Sequence, residues 1–198
     1  VAHSRRWELS LPGQAETLAY LAKVRERSLA SLRDASDDDD SLYFFRLVLM
    51  HEEMHREAWI YMAQTLGLPL PNPPPPSVAT EAPNAPWHCP GGPLLLGAHS
   101  TGFAFDNEYP PLAVDVAPFE IDRQAVTWRQ FLPFIDAGGY DDERLWSPQG
   151  WQWRRAHTAQ APRYLRQEEG QWQAQRFGQW QALNLEAAAC HLTQHEAQ

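Results

Sequence analysis

The sequence predicts an α+β protein with a helical first part and an irregular, loop-rich second part. The first third of the chain has apolar residues at helical spacing, and a proline-rich segment follows it. The rest shows short alternating segments separated by Gly and Pro. We therefore predict a helical part over residues 1–70, a linker over 71–92 and a second domain over 93–198.

The first predicted helix runs from residue 12 to about residue 34. Its apolar residues recur at a spacing near 3.6: Leu18, Leu21, Val24, Leu29 and Leu32. No Gly or Pro interrupts the segment between them. The acidic run Asp37–Asp40 follows. Acidic side chains at a helix start accept hydrogen bonds from free N–H groups and complement the helix dipole. The run therefore indicates a capping loop before a second helix.

The second predicted helix runs from about Leu42 to Leu66. Gly67 is expected to end it, and Pro69 just beyond cannot continue it. The residues that follow are rich in Pro and have little periodicity, which is typical of an extended linker.

The second domain contains one predicted helix, which Thr127 opens and the pair Gly138–Gly139 closes. From about Leu145 onward the chain is rich in Trp and Gln and has few regular signals. We expect the second region to be an irregular α+β module with much loop.

Composition excludes several functional classes. Hydrophobic residues make up 43 % of the chain, which is enough for a core, and the net charge of −9 argues against a nucleic-acid surface or a polybasic membrane anchor. No apolar run is long enough for a membrane span, and no signal peptide is visible. Cys89 and Cys190 lack C-x-x-C spacing, so we expect reduced thiols in a cytoplasmic protein.

The stretch HEEMH, residues 51–55, carries the clearest chemical signal. His51 and His55 are four residues apart, so on a helix they lie on one face, as a chelating pair must. The apolar residues on the same stripe predict that this face points to the interior, where an imidazole needs a partner or a metal. Glu57 lies on another face, where it either orients a histidine on a neighbouring element or is solvated.

Two metal chemistries compete for this pair. H-E-x-x-H is the zinc peptidase motif, with Glu52 as the general base. The third zinc ligand is missing, however, because Ala58 and Tyr61 occupy the places of the Gly and His that the extended motif requires. Imidazole ligands with open positions also suit Fe(II) that binds O₂ and a substrate thiolate, and we favour this interpretation.

Two stretches together carry a family resemblance. HEEMHREAWIYMAQTLGLP resembles the H-x-x-x-H-x-E helix of the DinB-like domain in the iron-dependent sulfoxide synthases of ergothioneine and ovothiol biosynthesis. Residues 103–153, with DNEYP, VTWRQFLPFIDAGGY and LWSPQGWQW, are similar to the start of their second domain, which is akin to the formylglycine-generating enzyme. The resemblance implies a DinB-like part over 1–70 that is incomplete at its start, and a second domain over 93–198 that is incomplete at its end.

The resemblance also implies roles for individual residues. His51 and His55 match two of three iron-binding histidines, and the third would come from an earlier helix that precedes Val1. Arg5 and Arg6 lie near the place of the arginines that bind the sulfur donor. In the mycobacterial-type enzymes the residue before the second His is a Gln that contacts the substrate imidazole, and here it is Met54, whose thioether cannot donate that hydrogen bond. The catalytic tyrosine would lie beyond Gln198.

The implied activity is that of a cytoplasmic, non-heme Fe(II), O₂-dependent enzyme. It would join a thiol or selenol donor to the imidazole of hercynine by a C–S or C–Se bond. The selenoneine synthase branch of the family, which uses a selenosugar donor, is also compatible with these residues. No nucleic-acid or membrane partner is expected. The alternatives are a zinc metallopeptidase and a non-catalytic metal-binding or scaffold module.

Overall fold

The computed structural model describes residues 5, 8–75, 85–99 and 101–198, and it confirms the predicted α+β class. The described helices and strands are α1 (Gln14–Asp34), α2 (Asp39–Leu66), β1 (Trp87–Cys89), β2 (Gly92–Leu96), β3 (Leu112–Val116), β4 (Phe119–Ile121), α3 (Trp128–Asp136), α4 (Pro148–His157), β5 (Leu165–Glu168), β6 (Gln171–Arg176) and β7 (Gln179–Ala182). Strands β1 and β4 form one sheet, β2 and β3 a second, and β5–β6–β7 a third. None of the described helices has the length and apolar character that a membrane span requires.

The chain divides into two compact units. Unit 1 contains Val1–His55 and Leu95–Leu112, and unit 2 contains Arg56–Leu94 and Ala113–Gln198. The assignment of residues 1–70 to a DinB-like domain, of 71–92 to a linker and of 93–198 to a second domain stays a prediction.

In unit 1, the acidic run caps α2 as predicted. The backbone N–H and the hydroxyl of Ser41 donate to the carboxylate of Asp38 at 2.8 and 2.9 Å. These hydrogen bonds, the backbone one first, hold the pKa of Asp38 below its ordinary value. The helix begins at Asp39 and not at the predicted Leu42, because Asp38 takes the capping position and the next acidic residues form the first turn.

A loop of unit 1 is held against the start of α2. The backbone N–H of Gly102 donates to Asp39 Oδ2 at 2.8 Å, and the rings of Tyr43 and Phe103 lie 5.5 Å apart. A capping-turn carboxylate and one aromatic pair therefore attach the segment after β2 to this helix.

In unit 2, α2 ends at Gly67 as predicted. Gly67 has φ +65°. The N–H of Leu68 donates to the carbonyl of Ala63 at 2.9 Å, and the N–H of Gly67 donates to the carbonyl of Gln64 at 3.3 Å. This pair of hydrogen bonds is the Schellman motif, which favours glycine at the left-handed position.

The buried side chain of Gln64 attaches this helix end to the β6–β7 hairpin. Its Nε2 donates to the carbonyl of Gln175 at 2.9 Å, and its Oε1 accepts from the N–H of Phe177 at 2.8 Å. The contact is close, because a Cβ placed on Gly178 would lie 2.3 Å from the carbonyl oxygen of Gly67. Only a residue without a side chain fits there.

The end of the predicted linker is a strand. In β1, Trp87 pairs with Ile121 and Cys89 with Phe119 of β4, in antiparallel register, and the rings of Trp87 and Phe119 lie 5.9 Å apart. An extended segment that gains ladder hydrogen bonds and a cross-strand aromatic pair is stabilised as a sheet. Residues 76–84 of the predicted linker lie outside the described part of the chain.

Helix α3 carries the core of unit 2. The N–H of Thr127 donates to Gln130 Oε1 at 2.8 Å at the helix start, and Gly138 has φ +80° after its end, so the predicted signals are confirmed. Trp128 and Leu132 of α3 pack with Leu165 and Ala187 as the buried cluster.

The region after Leu145, where the sequence has few regular signals, contains α4 and the three-stranded sheet. Ser147 caps α4 by accepting from the N–H of Gly150 at 3.1 Å, with Pro148 at the first helical position. Both hairpins of the sheet have two-residue turns at positive φ, at residues 169–170 and 177–178. The sequence did not indicate these strands individually, because their Gln-rich composition hides the alternation that marks a half-buried strand.

Candidate functional site

The two histidines of the predicted metal site lie side by side. The ring centroids of His51 and His55 on α2 are 4.6 Å apart, and the ring planes meet at 87°. The four-residue spacing produces this contact, because each residue of a helix turns by about 100°. One helix therefore presents two imidazoles to a common ligand.

The predicted burial of this pair is wrong. His51 and His55 are exposed, and the apolar residues on the same stripe are exposed too, with Val48 at 60 % and Trp59 at 68 %. The physical reason is that no described element of unit 1 covers this face of α2. The spacing of residues shows which side chains share a helix face, but it does not show what lies against that face.

The other predicted site residues are also on the surface. Met54 is 55 % exposed. It follows His51 by three residues, so the two side chains are neighbours on the helix surface. Glu57 is exposed, and its role in orienting a histidine stays a prediction. Arg5 is exposed and its Nε donates to Glu8 at 3.2 Å, while Arg6 lies outside the described residues. Helix geometry puts Met54 on the same part of α2 as the histidine pair, and the described contact of Arg5 is with Glu8.

The chemistry of the donor set fits a transition-metal ion. Neutral imidazoles bind Fe(II), Zn²⁺ and Cu²⁺, and two of them from one helix leave most coordination positions open. Within the described residues there is no group of three or more His, Cys, Asp or Glu placed to hold a metal. Further ligands to an ion at His51 and His55 would have to come from outside this set, and the same holds for the third ligand of a zinc peptidase site with Glu52 as base.

A second candidate site, which the sequence analysis did not find, is a cavity of about 650 Å³ within unit 2. The last turns of α2, strands β6 and β7 and the segment 183–193 line it. Its walls are mostly apolar, and its polar side chains include Arg163, Tyr164, Arg176, Cys190 and His191.

Tyr164 and His191 face each other in this cavity with strained backbones. Their φ angles are +67° and +63°, and their rings lie 4.9 Å apart at 81°. Burial lowers the pKa of His191, helped by the nearby charge of Arg163. Burial also raises the pKa of the Cys190 thiol, and Arg176 opposes that rise. No local sequence signal marks these residues, because bulky side chains at positive φ are set by their surroundings.

Comparison with protein families identifies the family of the second half of the chain. The sulfatase-modifying factor enzyme 1-like domain, also called FGE-sulfatase, matches residues 75–180 of this chain. That range begins just after α2 and ends in β7, so it covers most of unit 2.

Comparison with curated proteins finds relatives along the whole chain. A protein named hercynine oxygenase from Mycolicibacterium smegmatis is 34 % identical over 211 residues, which cover 99 % of this chain and 46 % of that protein. The protein of the same name from Mycobacterium tuberculosis is 34 % identical over 208 residues, which cover 99 % of this chain and 47 % of its own length. The chain therefore spans about half the length of the curated relatives it matches.

Proposed function

The chain belongs to the family of sulfatase-modifying factor enzyme 1-like domains, and from this premise we propose that it is part of an oxygen-dependent enzyme that modifies hercynine. The observation that carries the proposal is the 34 % identity with a hercynine oxygenase over 99 % of this chain. The aligned region spans the α2 segment as well as the family domain. Because about half of each relative has no counterpart here, activity and substrates are parts of the proposal.

We place the metal, Fe(II), at His51 and His55. Their ring centroids lie 4.6 Å apart on one helix face, and this closeness supports a metal ion shared by the two imidazoles. Their exposure leaves room for the remaining ligands and for substrates. Bound Fe(II) would supply the O₂ chemistry that no amino-acid side chain performs.

The finer proposal concerns the bond that is made. The resemblance to sulfoxide synthases supports formation of a C–S bond, or a C–Se bond in the selenoneine branch, at the imidazole of hercynine. The donor is a thiol, or a selenosugar with its selenol. Arg5 and Arg6 would bind anionic groups of the donor, since guanidinium groups form charge-assisted hydrogen bonds with carboxylates.

Met54 affects how the substrate imidazole is held. Its side chain lies on the helix surface next to His51, in reach of a ring bound beside the metal. A thioether offers polarizable contact but no N–H or O–H donor. The imidazole would therefore be oriented here by contact, and its hydrogen bonds would come from other residues.

The test uses the full-length protein loaded with Fe(II), hercynine and a thiol or selenosugar donor in air, with mass spectrometry of the products. We expect a coupled product, and we expect His51→Ala and His55→Ala to lose bound iron and to lower the coupling rate by about 100-fold or more. His88→Ala is the matched control, because His88 is an exposed histidine on β1 that pairs with Glu120 at 2.9 Å. Iron-loaded protein that leaves hercynine unchanged with every donor would overturn the proposal.

The same preparation separates the alternatives. Stoichiometric zinc with peptide cleavage that Glu52→Gln abolishes would indicate a metallopeptidase. Full-length protein that binds no metal under any loading condition would indicate a non-catalytic scaffold module.

A further inference from the structure

The cavity of unit 2 has charged side chains of one sign. Arg163 and Arg176 line it, and its lining residues include no Asp or Glu. The chain as a whole is acidic, with 25 Asp and Glu against 16 Lys and Arg. A positively charged lining is therefore the opposite of what the composition would place there by chance.

Other arginines of the same unit are neutralised by carboxylates. Arg129 pairs with Glu186 at 2.5 Å, and Arg154 pairs with Asp141 at 2.6 Å. Arginines elsewhere on unit 2 therefore form ion pairs with nearby carboxylates. The arginines of the cavity can be compared with them.

Arg163 and Arg176 have no carboxylate partner among the described residues. The guanidinium of Arg163 lies 4.7 Å from the ring centre of Tyr164, and Arg176 donates to the carbonyl of Pro74 at 2.6 Å. These contacts orient both cations but leave their charges uncompensated. Arg176 is half-buried and Arg163 is exposed, and a half-buried cation without a counter-charge attracts an anion.

Both charges act on the interior of the cavity. Arg176 opposes the effect of burial on the pKa of Cys190, and Arg163 adds to the effect of burial on the pKa of His191. Cys190 and His191 are neighbours in the lining, so the charges of Arg163 and Arg176 both act on the same part of the cavity wall.

The rest of the wall is apolar and held in place. Ile60, Leu183 and Leu192 contribute aliphatic surface. Tyr164 and His191, both at positive φ, form a ring pair that the surrounding structure must maintain against backbone strain. The volume, about 650 Å³, lies within the roughly 300–1,000 Å³ of known small-molecule pockets.

We propose that this cavity binds a small organic carboxylate with an apolar body. The carboxylate pairs with the guanidinium groups of Arg163 and Arg176, and the apolar body lies against the aliphatic wall. A quaternary ammonium ligand does not suit the site, because Arg163 already covers the face of Tyr164 and repels a second cation. The proposal is therefore independent of hercynine chemistry at the histidine pair.

Cys190 provides the readout. It is exposed and lines the cavity, so a bound ligand shields its thiol from iodoacetamide, whereas Cys89 on β1 is an internal reference outside the lining. The probes are 4-phenylbutyrate and 4-phenylbutyramide, which differ in charge and hardly in size. We expect saturable protection of Cys190 by the carboxylate, with an apparent affinity about tenfold higher than that of the amide.

Variants test whether the two arginines cause the preference for the carboxylate over the amide. Arg163→Gln with Arg176→Gln should make acid and amide equal, and Arg163→Gln alone should reduce the difference. Arg155→Gln on α4, an exposed arginine outside the lining, should leave the preference unchanged. Equal protection by acid and amide in the unmodified protein, or no protection by either, would overturn the proposal without any variant.

Discussion

The histidine pair of α2 and the cavity of unit 2 are assembled in opposite ways. His51 and His55 lie four residues apart on one exposed helix. The cavity is lined by residues from Ile60 to Thr193, and the members of its strained ring pair, Tyr164 and His191, come from distant parts of the sequence. A site on one helix follows from local geometry, whereas a site lined by a helix end, a sheet and a loop exists only once these elements have packed.

The largest difference expected between exposed α2 and the packed core of unit 2 concerns two tryptophans. Trp128 is 5 % exposed and Trp59 is 68 % exposed. Trp128→Ala should lower the free energy of unfolding by about 3–5 kcal/mol, because it removes a large buried side chain. Trp59→Ala should change it by less than about 0.5 kcal/mol. Urea unfolding followed by circular dichroism measures both, and equal losses would show that the face of α2 is covered in solution.

The next prediction concerns the junction of α2 with the β6–β7 hairpin. Gly178→Ala should cost about 2–3 kcal/mol, because the residue has φ +78° and the new Cβ would lie 2.3 Å from the carbonyl of Gly67. Gly67→Ala is the matched control, since its Cβ would meet its nearest atom at 3.6 Å. It should therefore cost only the left-handed backbone, about 1 kcal/mol. Chemical denaturation would contradict this account if the two variants were equally stable.

A third prediction concerns the buried pair of Tyr140 and Glu196. The hydroxyl of Tyr140 donates to Glu196 at 2.5 Å, and burial, with the help of this carboxylate, raises the pKa of Tyr140 above its ordinary value of 10.0. The folded state therefore keeps a proton that the unfolded state releases above pH 10. Stability that is fully present below pH 10 is lost as the pH rises further, by at most about 1.4 kcal/mol per pH unit.

Tyr140→Phe should remove this pH dependence and cost about 1–3 kcal/mol at neutral pH, because Glu196 loses its donor. Tyr61→Phe should leave the dependence intact, because Tyr61 is 59 % exposed. Denaturant titrations at neutral and alkaline pH measure the difference, and an unchanged alkaline slope in Tyr140→Phe would contradict the assignment.

The smallest expected effect concerns His191 in the cavity. Burial, and then Arg163, lowers its pKa below the ordinary value of 6.5, so the folded state favours the neutral ring. The associated stability is present above pH 6.5 and is lost as the pH falls through the lowered value. His191→Gln should therefore flatten the loss of stability on acidification, and Arg163→Gln should flatten it less. Thermal unfolding in a pH series tests this order.

Local signals accounted for the helices that the sequence predicted well. Periodic leucines marked α1, Gly67 marked the end of α2, and Thr127 and Gly138 marked the ends of α3. Each depends on atoms within one or two turns of the chain. Helix α4 was missed although Ser147 and Pro148 form a recognisable start, because the Trp- and Gln-rich sequence around them shows no clear apolar face.

The sheet of β5, β6 and β7 was missed for a different reason. Its turns use Glu169–Gly170 and Phe177–Gly178, where the usual signal is Asn-Gly or Asp-Gly. Phe177 accepts a left-handed backbone inside the fold, where its side chain is buried and its N–H donates to Gln64. A contact across more than a hundred residues therefore supports a turn that the local sequence disfavours.

The sequence by itself determined the α+β class, the three predicted helices and the placement of His51 and His55 on one helical face, because short-range backbone geometry controls all of these. Tertiary structure alone decided the exposure of that face, the strand within the predicted linker, and the cavity with Arg163 and Arg176 in its lining. Burial, strain and charge pairing depend on which distant residues come into contact, and the spacing of residues along a chain does not contain that information.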